Sequence, residues 1–283
     1  MDRFILHNES IIDSAHAGLA PTIAGVVYGW GVFTNLRVYK GSPFAFERHW
    51  ERLSRHAEKA RVPVHLDPKR AALALAGLIE TNSVRNGRAR LMILKGEEGL
   101  WRRGLETESQ FLAFTAQEAG QARSDLAMTL SPYRILSSSP LAGVKQTAML
   151  ESFLAFEEAR SRGFGEAVML NERGEVVGAT GGNIFWVEGD ELITPSIGSG
   201  CVAGITRSLV HEITKKVNIH LIEGGYPVQR LLDASEVFIT SSLREIAPVA
   251  SFDIKRYDRK RASITRNISR EFQKLISDAR IEP

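Results

Sequence analysis

Short apolar segments of strand length follow one another through most of this chain, and few are separated by a helix. Strand patterns cover residues 24–29, 36–39, 88–95, 110–116, 166–170, 184–187 and 236–240. A doubly wound parallel sheet needs strands and helices in regular alternation, so this pattern argues against one. We predict an α+β fold in which sheets carry helices packed beside them.

The chain divides at one polar stretch. Residues 116–125 contain almost no large apolar side chain, whereas strand and helix patterns flank them on both sides. Boundaries between domains fall in such polar segments. We predict a small N-terminal domain over 1–117, a linker over 118–124 and a larger C-terminal domain over 125–283. Apolar spacing and proline or glycine signals predict helices over 46–61, 68–81 and 147–162.

Composition excludes several functional classes. The 283 residues include one cysteine, Cys201, so an internal disulfide is impossible, and we expect a cytoplasmic protein. No stretch approaches the roughly 18 apolar residues of a membrane helix, so we expect no membrane association. The net charge of +3 is too small to indicate nucleic-acid binding. The histidines lack ligand spacing, which argues against a metal site.

Two stretches have the composition of an anion site. Gly204, Ile205 and Thr206 precede an amphipathic helix, and free N–H groups at a helix start favour a phosphate or carboxylate. Ser241 and Ser242 follow a predicted strand and add hydroxyls. Thr206 as a plain N-cap and serines that only close a turn remain alternatives. Together the two stretches favour one phosphate held between them.

Cations near apolar residues are the candidate reactive groups. Lys145 lies between a short apolar run and a helix, and a desolvated amine loses its proton more easily and can form a Schiff base. His49 and Arg52 are expected beside the buried stripe of their helix. Arg88 and Arg90 alternate along a strand and project to one face, where a substrate carboxylate or water would satisfy them.

Two glycine-rich stretches are open to more than one interpretation. Residues 178–182 join two strands, either as an ordinary tight hairpin or as bare backbone against a flat, bulky group. Residues 198–203 fit a loose dinucleotide fingerprint, which suggests an NAD-dependent oxidoreductase as an alternative. However, Pro195 interrupts the strand that should precede that fingerprint.

The order and spacing of these motifs resemble one known family. Lys145 is followed by GNIFWV at 182–187, LITP at 192–195 and GITR at 204–207. This set, within a similarity that spans 29–249, resembles the class IV, fold-type IV pyridoxal-phosphate enzymes. That family contains branched-chain aminotransferases, D-amino-acid aminotransferases and aminodeoxychorismate lyases. The resemblance implies two lobes with pyridoxal 5'-phosphate in the cleft between them, and a homodimer.

The same resemblance implies the reaction. The leading expectation is transfer of an amino group between a small amino acid and a 2-oxo acid. The first lobe, with HWERL at 49–53, is somewhat more similar to the lyase, so elimination of pyruvate from aminodeoxychorismate stays an alternative.

Individual roles follow position by position from the resemblance. Lys145 matches the lysine that bonds to the cofactor aldehyde and moves the proton at Cα. Arg52, in the HxxRL pattern, matches the arginine that binds the cofactor phosphate. Further contacts to that phosphate are implied for Ile205, Thr206, Ser242 and the neighbouring Ser241.

Substrate contacts are implied on the first lobe. Arg90 matches a position that recognises the substrate carboxylate in branched-chain enzymes, and Arg88 projects from the same face. Lys95 falls where D-amino-acid enzymes place a carboxylate-binding arginine. Phe33 stands where several relatives have tyrosine, so that hydroxyl is absent.

Gly178 departs from the family pattern. Its position, five before Asn183, normally holds a glutamate whose carboxylate pairs with the ring nitrogen of the cofactor. Losing that partner removes about 1.5–3 kcal/mol of charge-assisted hydrogen bonding. Glu175 is expected on the opposite strand face, and Thr180 offers only a neutral hydroxyl.

Four outcomes of this departure are open. Turnover could be slow, a less demanding step could be catalysed, a carboxylate could come from elsewhere, or the cofactor could be bound without turnover. Gly178→Glu is expected to raise turnover if only that partner is lacking.

Overall fold

The computed structural model describes residues 1–96, 108–118, 125–258 and 260–278, which form two compact units. The first unit holds the described residues up to 118 together with Val144–Ala148, and the second holds 125–143 and Met149–Asp278. Sheets and helices are mixed in both, as the sequence predicts. Because residues 119–124 lie outside the described residues, the linker over 118–124 stays a prediction. None of the described helices is long and apolar enough to span a membrane.

The first unit is built on an antiparallel sheet in the order β2-β1-β6-β5-β3-β4. Its strands are β1 (Phe4–His7), β2 (Ser10–Asp13), β3 (Gly31–Tyr39), β4 (Ser42–Pro43), β5 (Asn86–Leu94) and β6 (Gln110–Gln117). Its helices are α1 (Ala24–Val27), α2 (Phe46–Lys59) and α3 (Pro68–Thr81). Buried side chains of β3, β5, α2 and α3, among them Leu36, Leu53, Leu75 and Leu91, form its core.

Local sequence signals account for α3 but not for α1. Asp67 accepts hydrogen bonds from the backbone of Lys69 and Arg70, and Pro68 occupies the first turn, so α3 begins and ends where predicted. The predicted strand over 24–29 is wrong, because this segment contains α1. A short apolar run fits a strand or a helical turn equally well by pattern alone.

The second unit contains a curled mixed sheet in the order β12-β11-β10-β13-β14-β7-β8-β9, with β15 paired to β14. Its strands are β7 (Leu126–Ile135), β8 (Glu166–Asn171), β9 (Val176–Ala179), β10 (Asn183–Glu188), β11 (Glu191–Pro195), β12 (Leu221–Gly224), β13 (Glu236–Ser241), β14 (Glu245–Phe252) and β15 (Lys255–Arg256). Its helices are α4 (Leu150–Ser161), α5 (Ile205–Lys216), α6 (Gln229–Asp233) and α7 (Ser263–Asp278). The curl brings β9 back to β10, where Ala179 and Gly182 form an isolated bridge.

The segment around Lys145 departs from the predicted pattern. A helix was expected from residue 147, but α4 starts at Leu150. The prediction also placed Lys145 with the C-terminal domain, whereas Val144–Ala148 groups with the first unit. The reason is backbone pairing, since Gln146 forms a bridge with Val32 of β3. A residue bonded to a strand edge in this way is not available to start a helix.

Candidate active site

Hydrogen bonds fix the backbone of Lys145 from two sides. Phe33 donates its N–H to the Lys145 carbonyl at 2.9 Å, and Thr147 donates to the Gly31 carbonyl at 2.9 Å. The Lys145 N–H donates to Nδ1 of His56 at 3.0 Å. The position of the lysine backbone is therefore set by β3 on one side and α2 on the other.

The amine of Lys145 lies among other cations. It is half-buried, with Nζ 4.3 Å from the centroid of the Phe33 ring. Burial, followed by the charges of Arg52 and Arg90, lowers its pKa to about 8 from 10.5. A shift of this size leaves roughly 300-fold more neutral amine at pH 7. A neutral amine is the form that attacks an aldehyde.

Arg52 provides a buried positive charge in the same unit. Its side chain reaches Thr34, where Nη2 donates to Oγ1 at 2.8 Å, and the residue is only 4% exposed. Burial, then the neighbouring charge of Arg55, lowers its pKa to about 10. Both effects disfavour the cation in the absence of an added anion. A phosphate bound here would stabilise the charged form of Arg52 and would accept parallel hydrogen bonds from its guanidinium group.

His49 completes a hydrogen-bonded chain with Arg52. Thr34 accepts from Arg52 and contacts His49 Nδ1 at 2.7 Å, so the hydroxyl proton is directed to Nδ1. Burial, then Arg52 and Lys145, lowers the pKa of His49 to about 3. His49 and Arg52 were predicted beside the buried stripe of α2. That prediction is wrong, because they are 1% and 4% exposed.

His56 is a site residue that the sequence reasoning missed. Burial, followed by Arg52, Arg55, Lys59 and Lys145, lowers its pKa to about 4, so it is neutral and can accept the Lys145 N–H. The signal was available in the spacing. His49, Arg52 and His56 lie at i, i+3 and i+7, which is one face of a helix.

The Phe33 ring connects Arg90 to the group of residues around Lys145. The Arg90 guanidinium lies 4.0 Å from the Phe33 ring centroid, so the ring contacts both cations. Arg90 is half-buried, burial lowers its pKa, and its Nε has no hydrogen-bond partner among the described residues. A buried donor in this state fits a carboxylate ligand.

Arg88 and Lys95, which were also predicted to contact the substrate, lie outside this cluster. Arg88 is exposed and lies opposite Arg37 in the β3–β5 register. Lys95 places Nζ 4.2 Å from the Trp30 ring centroid and donates to the Arg61 carbonyl at 3.5 Å. The roles of Arg88 and Lys95 stay predictions.

In the second unit, one asparagine joins the start of α5 to the end of β13. Asn183 pairs with Thr240 across β10 and β13, and its Nδ2 donates to the Val202 carbonyl at 2.8 Å. A Cβ on Gly204 would collide with Oδ1 of Asn183, so a side chain at this position would displace the Asn183 amide. Asn183 therefore links the start of α5 to the end of β13, where the hydroxyls of Thr240 and Ser241 lie.

The helix start is free of a side-chain cap. Gly204 is the N-cap, so the alternative in which Thr206 caps the helix is wrong. Ile205 and Thr206 open the first turn, whose N–H groups are suited to an anion. The hydroxyl of Thr240 is buried without a hydrogen-bond partner among the described residues.

Ser241 and Ser242 lie at and directly after the end of β13. Ser241 Oγ accepts the Arg244 N–H at 3.1 Å, so it does close a turn. Phosphate contacts by Ser241 and Ser242 stay predictions.

Gly178 is required by the backbone around it. A Cβ at this position would lie 2.8 Å from the Gly182 carbonyl oxygen, and one at Gly182 would lie 2.7 Å from the Thr240 carbonyl oxygen. The loop is therefore a turn packed tightly against β13. This packing opposes the expectation that Gly178→Glu raises turnover, because the new side chain would have to displace backbone.

Gly178→Ala tests that packing. The added methyl group must shift the Gly182 carbonyl, so we expect the free energy of unfolding to fall by about 1–3 kcal/mol. Urea unfolding of the cofactor-free protein measures the change. Gly198→Ala is the matched control, since its Cβ would meet Ser196 Oγ at an ordinary 3.7 Å. Equal stability of the two variants would contradict the packing argument.

A buried carboxylate beside this loop also escaped the sequence reasoning. Glu166, at the start of β8, is 1% exposed and accepts hydrogen bonds from the N–H and hydroxyl of Thr180. No motif spacing points to Glu166, and only the fold brings it to the loop. Glu175, by contrast, bonds to Arg173 and Asn171, in keeping with the expectation that it does not serve the loop.

The two buried histidines of α2 predict a stability loss in mild acid. The unfolded chain takes up protons near pH 6.5, whereas folded His56 and His49 do so only near pH 4 and 3. The free energy of unfolding of the cofactor-free protein should therefore fall as the pH drops from 7. At pH 5 the loss is about 2 kcal/mol for each histidine.

Urea unfolding at pH 7 and pH 5 measures this loss. His56→Gln should reduce the difference between the two pH values, and His220→Gln, at an exposed position, should not. A difference that is unchanged in His56→Gln would contradict the assignment.

Comparison with known proteins identifies the family. A family model described as amino-transferase class IV matches residues 31–252. A branched-chain-amino-acid aminotransferase of Escherichia coli strain K12 is 28% identical over 263 residues, covering 88% of this chain and 85% of the relative. The aminodeoxychorismate lyase of Bacillus subtilis strain 168 is 26% identical over 276 residues, covering 96% and 94%.

Solved structures show the same fold. A branched-chain aminotransferase from Thermoproteus uzoniensis, solved with norvaline, superimposes with a TM-score of 0.91 at 26% identity, covering 98% of this chain and 96% of the other. The branched-chain amino acid aminotransferase from Escherichia coli gives a TM-score of 0.90 at 25% identity, covering 97% and 95%. The predicted two-lobed fold class is confirmed.

The residues present fit the cofactor of this family, pyridoxal 5'-phosphate. Lys145 supplies an amine of lowered pKa, Arg52 a buried cation, and α5 an uncapped helix start. These chemical features agree with the match over 31–252. The chain therefore belongs to the class IV aminotransferase family, whose members are pyridoxal-phosphate-dependent enzymes.

Proposed function

We propose that this enzyme transfers an amino group between a small amino acid and a 2-oxo acid. The observation that carries the proposal is the Lys145 amine, whose pKa is lowered to about 8 beside Arg52 and Arg90. A group whose pKa lies near the working pH can both accept and return a proton. Amino-group transfer requires both steps at the same Cα.

The roles of the residues divide between cofactor and proton transfer. Bound pyridoxal phosphate supplies electron withdrawal from Cα and carries the amino group between the two half-reactions. Lys145 holds the cofactor through Nζ and, when displaced by substrate, takes the Cα proton and returns it. His56 keeps the Lys145 backbone in place through its 3.0 Å hydrogen bond.

Contacts to the cofactor phosphate are proposed for five residues. Arg52 offers a charge-assisted fork, Ile205 and Thr206 offer N–H and hydroxyl groups at the start of α5, and Ser241 and Ser242 offer hydroxyls at the end of β13. The buried hydroxyl of Thr240 supports an anion near the end of β13.

Arg90 is proposed to receive the substrate carboxylate. It is half-buried, contacts Phe33 and has a buried Nε without a partner among the described residues. Arg88 on the same strand face, and Lys95, are proposed as secondary contacts that favour a carboxylate approaching this side of the sheet. Phe33 contributes an apolar wall in place of a tyrosine hydroxyl.

A homodimer is proposed on a separate observation. α4 exposes three large apolar side chains, with Leu150, Phe153 and Leu154 each more than half exposed. Contiguous exposed apolar groups commonly mark an association surface. Sedimentation of the purified protein measures the assembly.

Elimination of pyruvate from aminodeoxychorismate is the second candidate. The Bacillus subtilis lyase covers 96% of this chain at 26% identity, comparable with the aminotransferases. A protein that binds the cofactor without efficient turnover is a third, motivated by Gly178.

One experiment separates these candidates. The cofactor-loaded enzyme is mixed with a panel of L- and D-amino acids, and conversion of the bound cofactor to its amine form is followed by absorbance. Conversion, reversed by a 2-oxo acid, supports the transaminase. Pyruvate released from aminodeoxychorismate without conversion supports the lyase. Neither reaction, with cofactor retained, would contradict both.

A further inference from the structure

The loop at 178–182 contains a hydroxyl that is backed by a buried carboxylate. Thr180 donates its hydroxyl proton to Oε1 of Glu166, and its N–H donates to the same oxygen at 3.2 Å. Ala167 N–H donates to this oxygen at 3.1 Å. Thr180 is half-buried and Glu166 is 1% exposed, so only Thr180 can meet a ligand directly.

Glu166 is the acidic residue that is hydrogen-bonded to this loop. Among the described residues, no other carboxylate has a hydrogen bond to residues 178–182. Three further glutamates of the second unit are buried, and each is bonded elsewhere. Glu236 accepts the N–H of Thr265 at 2.8 Å, Glu245 bonds to Gln273 at 2.6 Å and Glu271 to Lys274 at 2.6 Å.

The direction of the Thr180 hydrogen bond determines what the hydroxyl can do. Oε1 of Glu166 accepts two backbone N–H groups and Oε2 faces Arg244, so the Thr180 hydroxyl donates its single proton to Oε1. The remaining lone pairs of Thr180 Oγ1 are then acceptors for a group that approaches from the exposed side. A protonated pyridine nitrogen is a donor and suits this oxygen. An unprotonated one is an acceptor and would oppose it.

From this geometry we infer that Thr180, oriented by Glu166, is the hydrogen-bond acceptor for the protonated ring nitrogen of the cofactor. The inference rests on the proposed function. Pyridoxal-phosphate enzymes normally supply a charged partner to this nitrogen. Here Gly178 leaves no side chain at the usual position, and its backbone excludes one. Thr180 contacts the ring, whereas Glu166 is a positioning residue that acts through the hydroxyl.

Arg244 is an ion-pair partner of Glu166 and so affects how strongly the carboxylate attracts the Thr180 proton. Its Nη1 lies 3.2 Å from Oε2 of Glu166 and pairs with the carboxylate charge. The other oxygen, Oε1, remains directed to Thr180. The ring nitrogen should therefore be protonated in the resting enzyme, with a weaker partner than a direct carboxylate.

The test is the ¹⁵N NMR signal of the ring nitrogen, recorded on enzyme loaded with ring-¹⁵N pyridoxal phosphate. Wild type should show the chemical shift of a protonated pyridine. Thr180→Val should lose that shift and move to the unprotonated value, and Glu166→Gln should move in the same direction. Thr180→Ser keeps the hydroxyl and should retain the wild-type signal.

Several results would overturn the inference. An unprotonated wild-type signal would do so, as would a Thr180→Val signal identical to wild type. If Thr180→Val does not fold, a ¹⁵N signal in Glu166→Gln that is unchanged from wild type would also overturn the inference. Thr265→Val, a buried threonine of α7 whose hydroxyl has no partner among the described residues, is the matched control and should leave the signal unchanged.

A failure of the proposed function would be recognised separately. Borohydride reduction and peptide mass measurement of the same loaded samples report whether the cofactor is attached to Lys145. Attachment with the wrong ring protonation state refutes only the role of Thr180 and Glu166. Absence of attachment refutes the proposed function.

Discussion

Lys145→Ala should lower kcat by at least about 10³-fold. General acid–base catalysis alone contributes about 10²–10⁴-fold, and the variant also loses covalent attachment of the cofactor. The lowered pKa of about 8 makes this lysine, rather than an exposed one, the group able to exchange a proton near neutral pH. Steady-state rates with the best amino acid and 2-oxo acid from the panel measure the loss.

Lys69→Ala is the control for Lys145→Ala. Lys69 is exposed in the first turn of α3, and its side chain carries no role in the proposed site. Its kcat should stay within about twofold of wild type, as expected for a surface change of less than about 0.5 kcal/mol. A loss below tenfold in Lys145→Ala would contradict the assignment of the proton-transfer group.

Arg52→Leu should raise the dissociation constant of pyridoxal phosphate by about 10–100-fold. The variant loses charge-assisted hydrogen bonds worth about 1.5–3 kcal/mol. Arg52→Lys keeps the charge but not the planar fork, so its affinity should fall between those of Arg52→Leu and wild type. Fluorescence titration of the cofactor-free protein measures all three affinities.

Arg55→Leu controls for helix and surface effects, because Arg55 is exposed on the same helix. Its cofactor affinity should change by less than about threefold, in line with the small worth of exposed charges. The melting temperature of the cofactor-free protein gives a second check. Since burial and Arg55 both disfavour the Arg52 charge, Arg52→Leu should not melt below Arg55→Leu. Equal cofactor affinities of Arg52→Leu and Arg55→Leu would contradict the assignment of Arg52 as a phosphate contact.

Elements defined by local chemistry could be predicted from the sequence. Asp67 and Pro68 determine the start of α3, and the alternation of polar and small or apolar residues over 86–91 matches the alternating burial along β5. The family motifs around Lys145, Asn183 and Gly204 also depend on short spacings that a single sequence displays. These parts of the fold and of the candidate site needed no long-range information.

Features that depend on distant contacts could not be predicted in this way. The segment 144–148 is held by β3, more than one hundred residues earlier in the chain, so the local helix pattern misplaced the start of α4. Glu166 reaches Thr180 only because β8 and β9 pair. His56 shares a helical face with Arg52, but its role depends on the Lys145 backbone.

Gly178 shows how one position can be interpreted in two ways. Compared with the family pattern, Gly178 lacks the glutamate carboxylate, which predicts a weak hydrogen-bond partner for the ring nitrogen of the cofactor. The structure adds that the Gly182 carbonyl leaves no room for a side chain at Gly178, and that a carboxylate lies behind the nearby Thr180. Packing therefore accounts for the glycine at position 178, and the Thr180 hydroxyl, held by the Glu166 carboxylate, gives the loop a hydrogen-bonding group.

The most direct test is to reduce the cofactor-loaded enzyme with borohydride, digest it and locate the phosphopyridoxyl group by peptide mass. We expect one modified peptide, with the group on the side-chain nitrogen of residue 145. Modification confined to another lysine, or loss of all label after reduction, would contradict the account.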